Sequence, residues 1–136
     1  MSFLNIAQQI IFDRLTSNLG SGVSLFDTAP YLPEGAPSTS FPYVVIGNDT
    51  SAPWDTDDQV GGEITVTLHF WSRAEGFNQV KTIMQAAYDR LNRASLSKTG
   101  YNVVDCLHEF SEAINDPDGV TKHGIQRYRL TIQKGS

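Results

Sequence analysis

Cysteine is nearly absent from this sequence of 136 residues, which contains only Cys106. A single thiol has no partner within the chain, so no internal disulfide contributes to the fold. This usage is typical of a protein that folds in a reducing cytoplasm.

Positive charge is also scarce, since 10 Lys and Arg residues face 15 Asp and Glu residues and the formal net charge is -5. General binding to nucleic acid depends on basic side chains that neutralise phosphates, so this balance argues against it and favours protein partners. The start of the sequence has no basic leader, and no apolar run approaches the roughly 18 residues that suggest a membrane span. We therefore expect a soluble, unprocessed chain with no membrane partner.

Motifs for catalysis, cofactor binding and metal binding are missing as well. The histidines, His69, His108 and His123, have no spacing typical of zinc ligands, although a zinc site assembled by the fold is an alternative. Cys106 lies inside a predicted strand, where a buried thiol is more common than a nucleophile. We predict no catalytic residue, no cofactor, no metal site and no enzymatic activity.

Residues 62–72 provide the clearest structural pattern in the sequence. Ile64, Val66, Leu68 and Phe70 alternate with polar or amphipathic residues. Because successive side chains of a strand point to opposite faces, this period of two predicts a central strand with one fully apolar face.

Two amphipathic helices and further strands complete the prediction. Apolar residues recur at helical spacing from Phe3 to Leu15, in a helix expected to end near residues 18–20, and again from Phe77 to Leu91. We expect the second helix to cover the apolar face of the central strand. Further strands are predicted near residues 23–26, 42–52, 101–110 and 125–132. The resulting fold class is α+β, an antiparallel sheet of four to five strands flanked by two α-helices in the order α-β-β-β-α-β-β, forming a single domain over residues 1–136.

Local signals mark several boundaries. Ser72 and Glu75 have the spacing of a capping box at the start of the second helix. Residues 116–119, Asp-Pro-Asp-Gly, predict a turn between the last two strands. Residues 28–41 are rich in proline and small polar residues and predict an irregular surface connection.

Two groups of residues are not explained by core formation. Trp54 lies beside Asp55, Asp57 and Asp58 in a predicted long hairpin loop, which is either a solvated loop or an interface or lumen element of an assembly. The second group lies near the C-terminal hairpin and comprises Lys122, His123, Arg127 and Arg129. It is either a solvated strand face or a docking patch for an acidic neighbour.

The succession of these segments resembles a known family. It comprises Phe-Pro-Tyr-Val-Val-Ile-Gly at residues 41–47, Trp54 with its polar loop, Thr-Val-Thr-Leu-His-Phe-Trp-Ser-Arg at residues 65–73, and residues 116–124 followed by Arg127-Tyr128-Arg129. In this order the segments resemble the tail-terminator or tail-completion proteins of long-tailed bacteriophages and gene-transfer particles. The resemblance extends over nearly the whole chain.

The resemblance implies a structural virion protein that forms a hexameric ring, caps the tail tube and joins the tail to the head connector. Its implied partners are other copies of itself, the tail tube protein and the head connector or stopper protein, with DNA passing through the channel without specific binding. The implied location is the neck region of the virion tail, after assembly in the host cytoplasm. A head-completion or stopper protein is the alternative within the same process. A small-molecule binding module or enzyme is a more remote alternative.

Overall fold

The computed structural model describes residues 3–16, 18–20, 22–26, 41–57, 59–117 and 119–135. In chain order its elements are α1 (Phe3–Leu15), β1 (Ser24–Phe26), β2 (Tyr43–Pro53), β3 (Gly61–Ser72), α2 (Asn78–Leu91), β4 (Ser97–Lys98), β5 (Tyr101–Asn115) and β6 (Lys122–Lys134). Most of the predicted proline-rich connection over residues 28–41 lies outside the described residues. Within the described part of the chain, no helix has the length and apolar character needed to cross a membrane.

The predicted central strand is β3, and its alternation is confirmed. Its four alternating apolar side chains are fully buried, whereas the intervening residues from Glu63 to Trp71 are partly exposed. β2 and β6 pair with β3 on either side and run antiparallel to it. The period of two in the sequence therefore reflects a strand with one face in the core.

Both helices pack on that buried face. α2 contributes Val80, Ile83, Met84, Ala87 and Leu91 to the same core cluster as β3. α1 shares this role, since its buried residues belong to the cluster as well, and α1 contacts both β3 and α2. Each large apolar side chain buried in this way stabilises the fold by about 1.5–3 kcal/mol, so the core outweighs the surface ion pairs.

The α+β class is confirmed, but the prediction of an antiparallel sheet of four to five strands is wrong. Among the described residues the sheet is mixed and has six strands in the order β1-β2-β3-β6-β5-β4. β1 pairs with β2 in parallel, with Leu25 opposite Val44, and the two-residue strand β4 pairs with the start of β5. Strands of two or three residues are too short to show a period in the sequence, and the pairing of β1 also joins segments that are far apart in the chain.

The start of α2 differs from the predicted capping box. The helix begins at Asn78, and Gly76 adopts a φ of +75°, a conformation that interrupts a right-handed helix. The Ser72 hydroxyl instead accepts a hydrogen bond from the amide of Ala74 and contacts the side-chain oxygen of Gln79. Ser72 therefore fixes the link between β3 and α2 rather than capping the helix.

The last hairpin confirms the predicted turn. The amide of Gly119 donates to the carbonyl of Asp116 at 2.9 Å, and Gly119 has a φ of +74°, as expected of the glycine after a type I turn. The two strands extend further toward the turn than the sequence indicates. α1, by contrast, ends at Leu15, before the predicted residues 18–20.

Candidate interaction surface

The face of the sheet that points away from α1 and α2 carries three of the eight predicted interface residues, His123, Arg127 and Arg129. We call it the open face, because no helix among the described residues packs on it. Register places Thr67, His69 and Trp71 of β3 on this face, opposite residues 127, 125 and 123 of β6.

Hydrogen bonds connect the described residues of the acidic loop between β2 and β3. The amide of Trp54 donates to the carbonyl of Gly61 at 3.0 Å, and the amide of Thr56 donates to the carbonyl of Gln59 at 2.9 Å. The carboxylate of Asp55 accepts a hydrogen bond from the amide of Gly61 at 2.9 Å. These bonds continue the β2–β3 hairpin beyond the paired strands.

The described part of this loop presents aromatic and acidic groups to solvent. The Trp54 side chain is 37% exposed, and Asp55 and Asp57 are exposed as well. Asp58, the remaining member of the predicted group, lies outside the described residues. An interface or lumen role for these residues stays a prediction, but the bond to Gly61 gives Asp55 a structural role in addition.

The structure divides the predicted docking patch. Lys122 faces the helix side of the sheet, where it is buried, donates to the carbonyl of Val120 at 3.2 Å and lies 5.6 Å from the ring of Phe77. His123, Arg127 and Arg129 lie on the open face. The docking role of these residues stays a prediction, and three of the four share one face of the sheet.

Glu109 lies between the two arginines of this patch. Its carboxylate is 3.3 Å from Nε of Arg127 and 3.4 Å from a terminal nitrogen of Arg129, and the Arg127 guanidinium also lies 5.6 Å from the ring of Phe110. Ion pairs this exposed contribute about 0–1 kcal/mol to stability. Their main effect is to orient the arginines and to leave the trio with a net charge of +1.

A histidine pair on the open face was not predicted. Nδ1 of His69 lies 2.9 Å from Nε2 of His123, so one ring donates a hydrogen bond and the other accepts it. The ring of His123 also stacks on Trp71, with centroids 3.8 Å apart and an interplanar angle of 7°. Alternation in β3 could have placed His69 and Trp71 on one face, but the contact with residue 123 depends on the β3–β6 register.

Burial lowers the pKa of both histidines. For His69 the cause is desolvation of the charged ring, and for His123 desolvation is followed by repulsion from His69, partly offset by the carboxylate of Asp116. Both effects favour the neutral form of each ring, and the ring that accepts the hydrogen bond must be neutral.

The third histidine lies elsewhere. His108 lines an open groove of about 310 Å³ between α2 and β5, where its Nε2 lies 2.6 Å from the hydroxyl of Ser111. Gln126 also donates to that hydroxyl, at 3.2 Å, so Ser111 belongs to a hydrogen-bonded network. No group of three or more His, Cys, Asp or Glu residues that could hold a metal ion occurs among the residues described.

The environment of Cys106 disfavours the reactive thiolate form of its side chain. The side chain is fully buried, and burial, together with the nearby carboxylate of Asp105, raises the pKa of its thiol to about 12. A thiol is a nucleophile only as its thiolate, so this residue is a core side chain. The sequence-based interpretation of Cys106 as a small buried residue is thus confirmed.

Comparison with known proteins identifies the family. The family model of tail completion protein gp17 matches residues 12–133. The chain belongs to this family. Tail completion protein gp17 of Bacillus phage SPP1 is 37% identical over 95 residues, which cover 68% of each chain.

Solved structures agree with the fold. A chain in the virion of a native gene transfer agent particle superposes with a TM-score of 0.77, at 18% identity, covering 97% of this chain and 99% of that one. The structure of bacteriophage SPP1 gp17 superposes with a TM-score of 0.52, at 29% identity, covering 93% and 88%. The first comparison supports the fold alone, whereas the second concerns a named gp17 protein.

Membership in the tail completion family confirms the resemblance found in the sequence. The family comprises structural tail proteins and not enzymes, which agrees with the predicted structural role. The family name does not itself specify ring formation or the joining of tail to head.

Proposed function

We propose that this tail completion protein forms a ring that caps the tail tube and joins the tail to the head connector. The observation that carries the proposal is the gp17 family match over residues 12–133. The architecture is compatible with it: a sheet stiffened on one face by two helices provides a rigid body, and its edges and loops remain available for neighbours.

The proposed partners are other copies of the chain in a hexameric ring, the tail tube protein and the head connector or stopper protein. The protein would assemble in the host cytoplasm and reside in the neck region of the virion. DNA would pass through the ring without specific binding, in keeping with the net charge of -5.

We place the acidic loop near the central channel of the proposed ring. Asp55 and Asp57 are exposed, Asp55 accepts a hydrogen bond from the amide of Gly61, and Asp58 adds a third negative charge in the sequence. Negative charge at this position would repel phosphates and keep passing DNA from adhering. A ring structure with this loop on its outer rim would exclude the arrangement.

The open-face residues His123, Arg127 and Arg129 are the proposed docking patch for an acidic neighbour. Glu109 holds the arginines in place, so they lose less side-chain freedom when a partner binds. Lys122 is less suited to docking, because it is buried on the other side of the sheet.

Electron microscopy of the purified protein mixed with tail tubes tests the proposed function. We expect a ring of density at one end of each tube. A parallel mixture with portal-bearing heads separates the two neck roles: binding to tubes supports tail completion, whereas binding only to heads would indicate a stopper protein. No density on either would refute a neck role.

Replacement of Trp54 tests whether the acidic loop belongs to an interface. Because this ring is partly exposed and interface aromatics carry much of the binding energy, we expect Trp54→Ala to weaken ring formation at least tenfold with a small change in stability. Size-exclusion chromatography and tail joining provide the measurements, and Trp54→Phe, which keeps an aromatic ring, is the matched control. Unchanged assembly of Trp54→Ala would contradict an interface role.

A further inference from the structure

The outer edge of β5 ends in a segment whose backbone has no strand partner among the described residues. β4 pairs with Tyr101 and Asn102 only. The next part of the edge is occupied by the chain that follows α2: the amide of Arg93 donates to the carbonyl of Cys106 at 2.7 Å, and the side chain of Asn92 accepts from the amide of His108 at 3.0 Å. In the described structure residues 110–115 pair only with β6, and Glu109 lies at the register shift just before them.

This segment has the length of an ordinary strand. Seven residues extend roughly 24 Å at about 3.4 Å each. A row of unpaired amides and carbonyls of this length accepts an extended chain, and natural proteins usually block such a row with charges or proline. Residues 109–115 contain no proline and two charged residues, Glu112 and Glu109, of which Glu109 is paired with Arg127 and Arg129.

Exposed apolar side chains are concentrated around the same edge. Of the seven large hydrophobic residues that are exposed in the described structure, four lie on β5 or in the turn after it: Val104, Phe110, Ile114 and Val120. Phe110 and Ile114 are on the open face, since they lie opposite Arg127 and His123. A strand added to this edge would cover part of their surface.

The helix side of the same edge is a groove. Its walls include Met84 and Tyr88 of α2 together with Ser111 and Ala113 of β5, and its volume is about 310 Å³. Because side chains of an added strand alternate between the two faces, every second one would enter this groove. The edge thus offers backbone hydrogen bonds, one apolar face and one groove to an extended partner.

The chain itself carries a second unpaired edge at the opposite end of the sheet. In the described residues, β1 pairs on one side only, and β2 continues past it from Ile46 to Pro53. Two different edges on one subunit allow each copy to offer one edge to each neighbour. Such head-to-tail contacts close into a ring when the rotation between copies is suitable.

We infer that residues 109–115 of β5 receive the β1–β2 edge of a second copy of this chain, so that the sheet continues from one subunit to the next. This inference rests on the proposed ring and specifies the surfaces that build it. Subunit interfaces of standard size bury about 800 Å² per partner, and the exposed apolar residues beside the edge add to the area that backbone pairing covers.

A charge placed at this edge tests the inference. Ile114→Lys introduces an ammonium group beside the incoming strand, and we expect at least a tenfold rise in the dissociation constant for self-association, measured by analytical ultracentrifugation. Val104→Lys is the matched control, because Val104 is an exposed apolar residue on the part of β5 whose edge is already occupied. Circular dichroism and thermal unfolding of both variants should show folded protein.

The outcomes separate this inference from the proposed function. If Ile114→Lys assembles as the unaltered protein does, or if Val104→Lys is equally impaired, the assignment to residues 109–115 is overturned while the ring itself stands. If the unaltered protein forms no ring alone or on tail tubes, the proposed function fails first.

Crosslinking distinguishes head-to-tail pairing from pairing of two identical edges. Ser24 on β1 and Glu112 on β5 are exposed, both lie on the open face, and the native Cys106 is buried. With a short bis-maleimide, the double variant Ser24→Cys/Glu112→Cys should give a ladder of covalent multimers, whereas either single variant should stay monomeric. Covalent dimers of Glu112→Cys alone, or no ladder from the double variant, would overturn the inference.

Discussion

Gly124 allows α2 to lie close against the sheet, and replacing it should measure how tightly the two layers pack. Gly124 lies on the core face of β6, opposite Phe70. A Cβ atom added there would lie 2.6 Å from Sδ of Met84 and 3.2 Å from both Cβ of Phe70 and Cγ2 of Val80. These distances are shorter than the 3.5–4.0 Å of favourable carbon contacts.

The expected cost follows from which neighbours can move. The end of the Met84 side chain can rotate away, but Cβ of Phe70 is fixed by the backbone of β3 and Val80 has little rotamer freedom. Overpacking of this kind costs about 1–3 kcal/mol, and the reduced entropy of the unfolded chain returns about 0.4–1 kcal/mol. We therefore expect Gly124→Ala to lower the free energy of unfolding by about 1–2 kcal/mol. For 136 residues this corresponds to a fall in Tm of about 3–7 °C.

Urea denaturation and thermal unfolding provide the assay. Gly47→Ala is the matched control, because an added Cβ there meets nothing within 4 Å, and its stability should stay the same or rise by up to about 1 kcal/mol. In a double-mutant cycle, Met84→Ala should reduce the cost of Gly124→Ala by about 1 kcal/mol. Equal stability of the two alanine variants, or strict additivity in the cycle, would refute the close packing of α2 on β6.

Two further predictions concern titratable side chains. The rise in the pKa of Cys106 from 9.0 to about 12 lowers the fraction of thiolate roughly a thousandfold. Iodoacetamide should therefore modify Cys106 at least a thousandfold more slowly in the folded protein than in the urea-unfolded chain. Rapid labelling of the folded protein would contradict this prediction. Because the pKa values of His69 and His123 are lowered from 6.5, the unfolded chain binds protons that the folded chain does not. The free energy of unfolding should therefore keep the full contribution of the two neutral histidines above pH 6.5 and decline as the pH falls below that value. In urea denaturation, the double variant His69→Gln/His123→Gln should show a weaker decline over the same pH range. An equally steep decline in that variant would assign the effect to other groups.

Local patterns in the sequence were sufficient for the core of the fold. The alternation in β3, the helical stripes of α1 and α2 and the turn at residues 116–119 each depend on residues close together in the chain, and the structure confirms all of them. The parallel pairing of β1 depends instead on residues 24–26 meeting residues 43–45 across a long connection. No local pattern reports such a contact, so the sequence predicted a purely antiparallel sheet.

Several features of the candidate surface could not be predicted from the sequence for the same reason. The contact between His69 and His123 joins residues 54 positions apart, and it requires the β3–β6 register. The register of β5 shifts between His108 and Phe110, so its alternation changes there and the position of Glu109 beside Arg127 and Arg129 could not be derived from a period of two. Lys122 was grouped with the arginines by its position in the sequence, but strand alternation places it on the other face.

The order of the strands has a consequence for synthesis of the protein. β6, residues 122–134, lies between β3 and β5 in the sheet but follows both in the chain, so the strand that joins the two halves of the sheet leaves the ribosome after them. A shortened product without β6 would have β3 and β5 with unpaired inner edges and would lack Tyr128, Leu130 and Ile132 from its core. Translation through β6 is thus a condition for a complete sheet, and copies that terminate before this strand would lack part of the core.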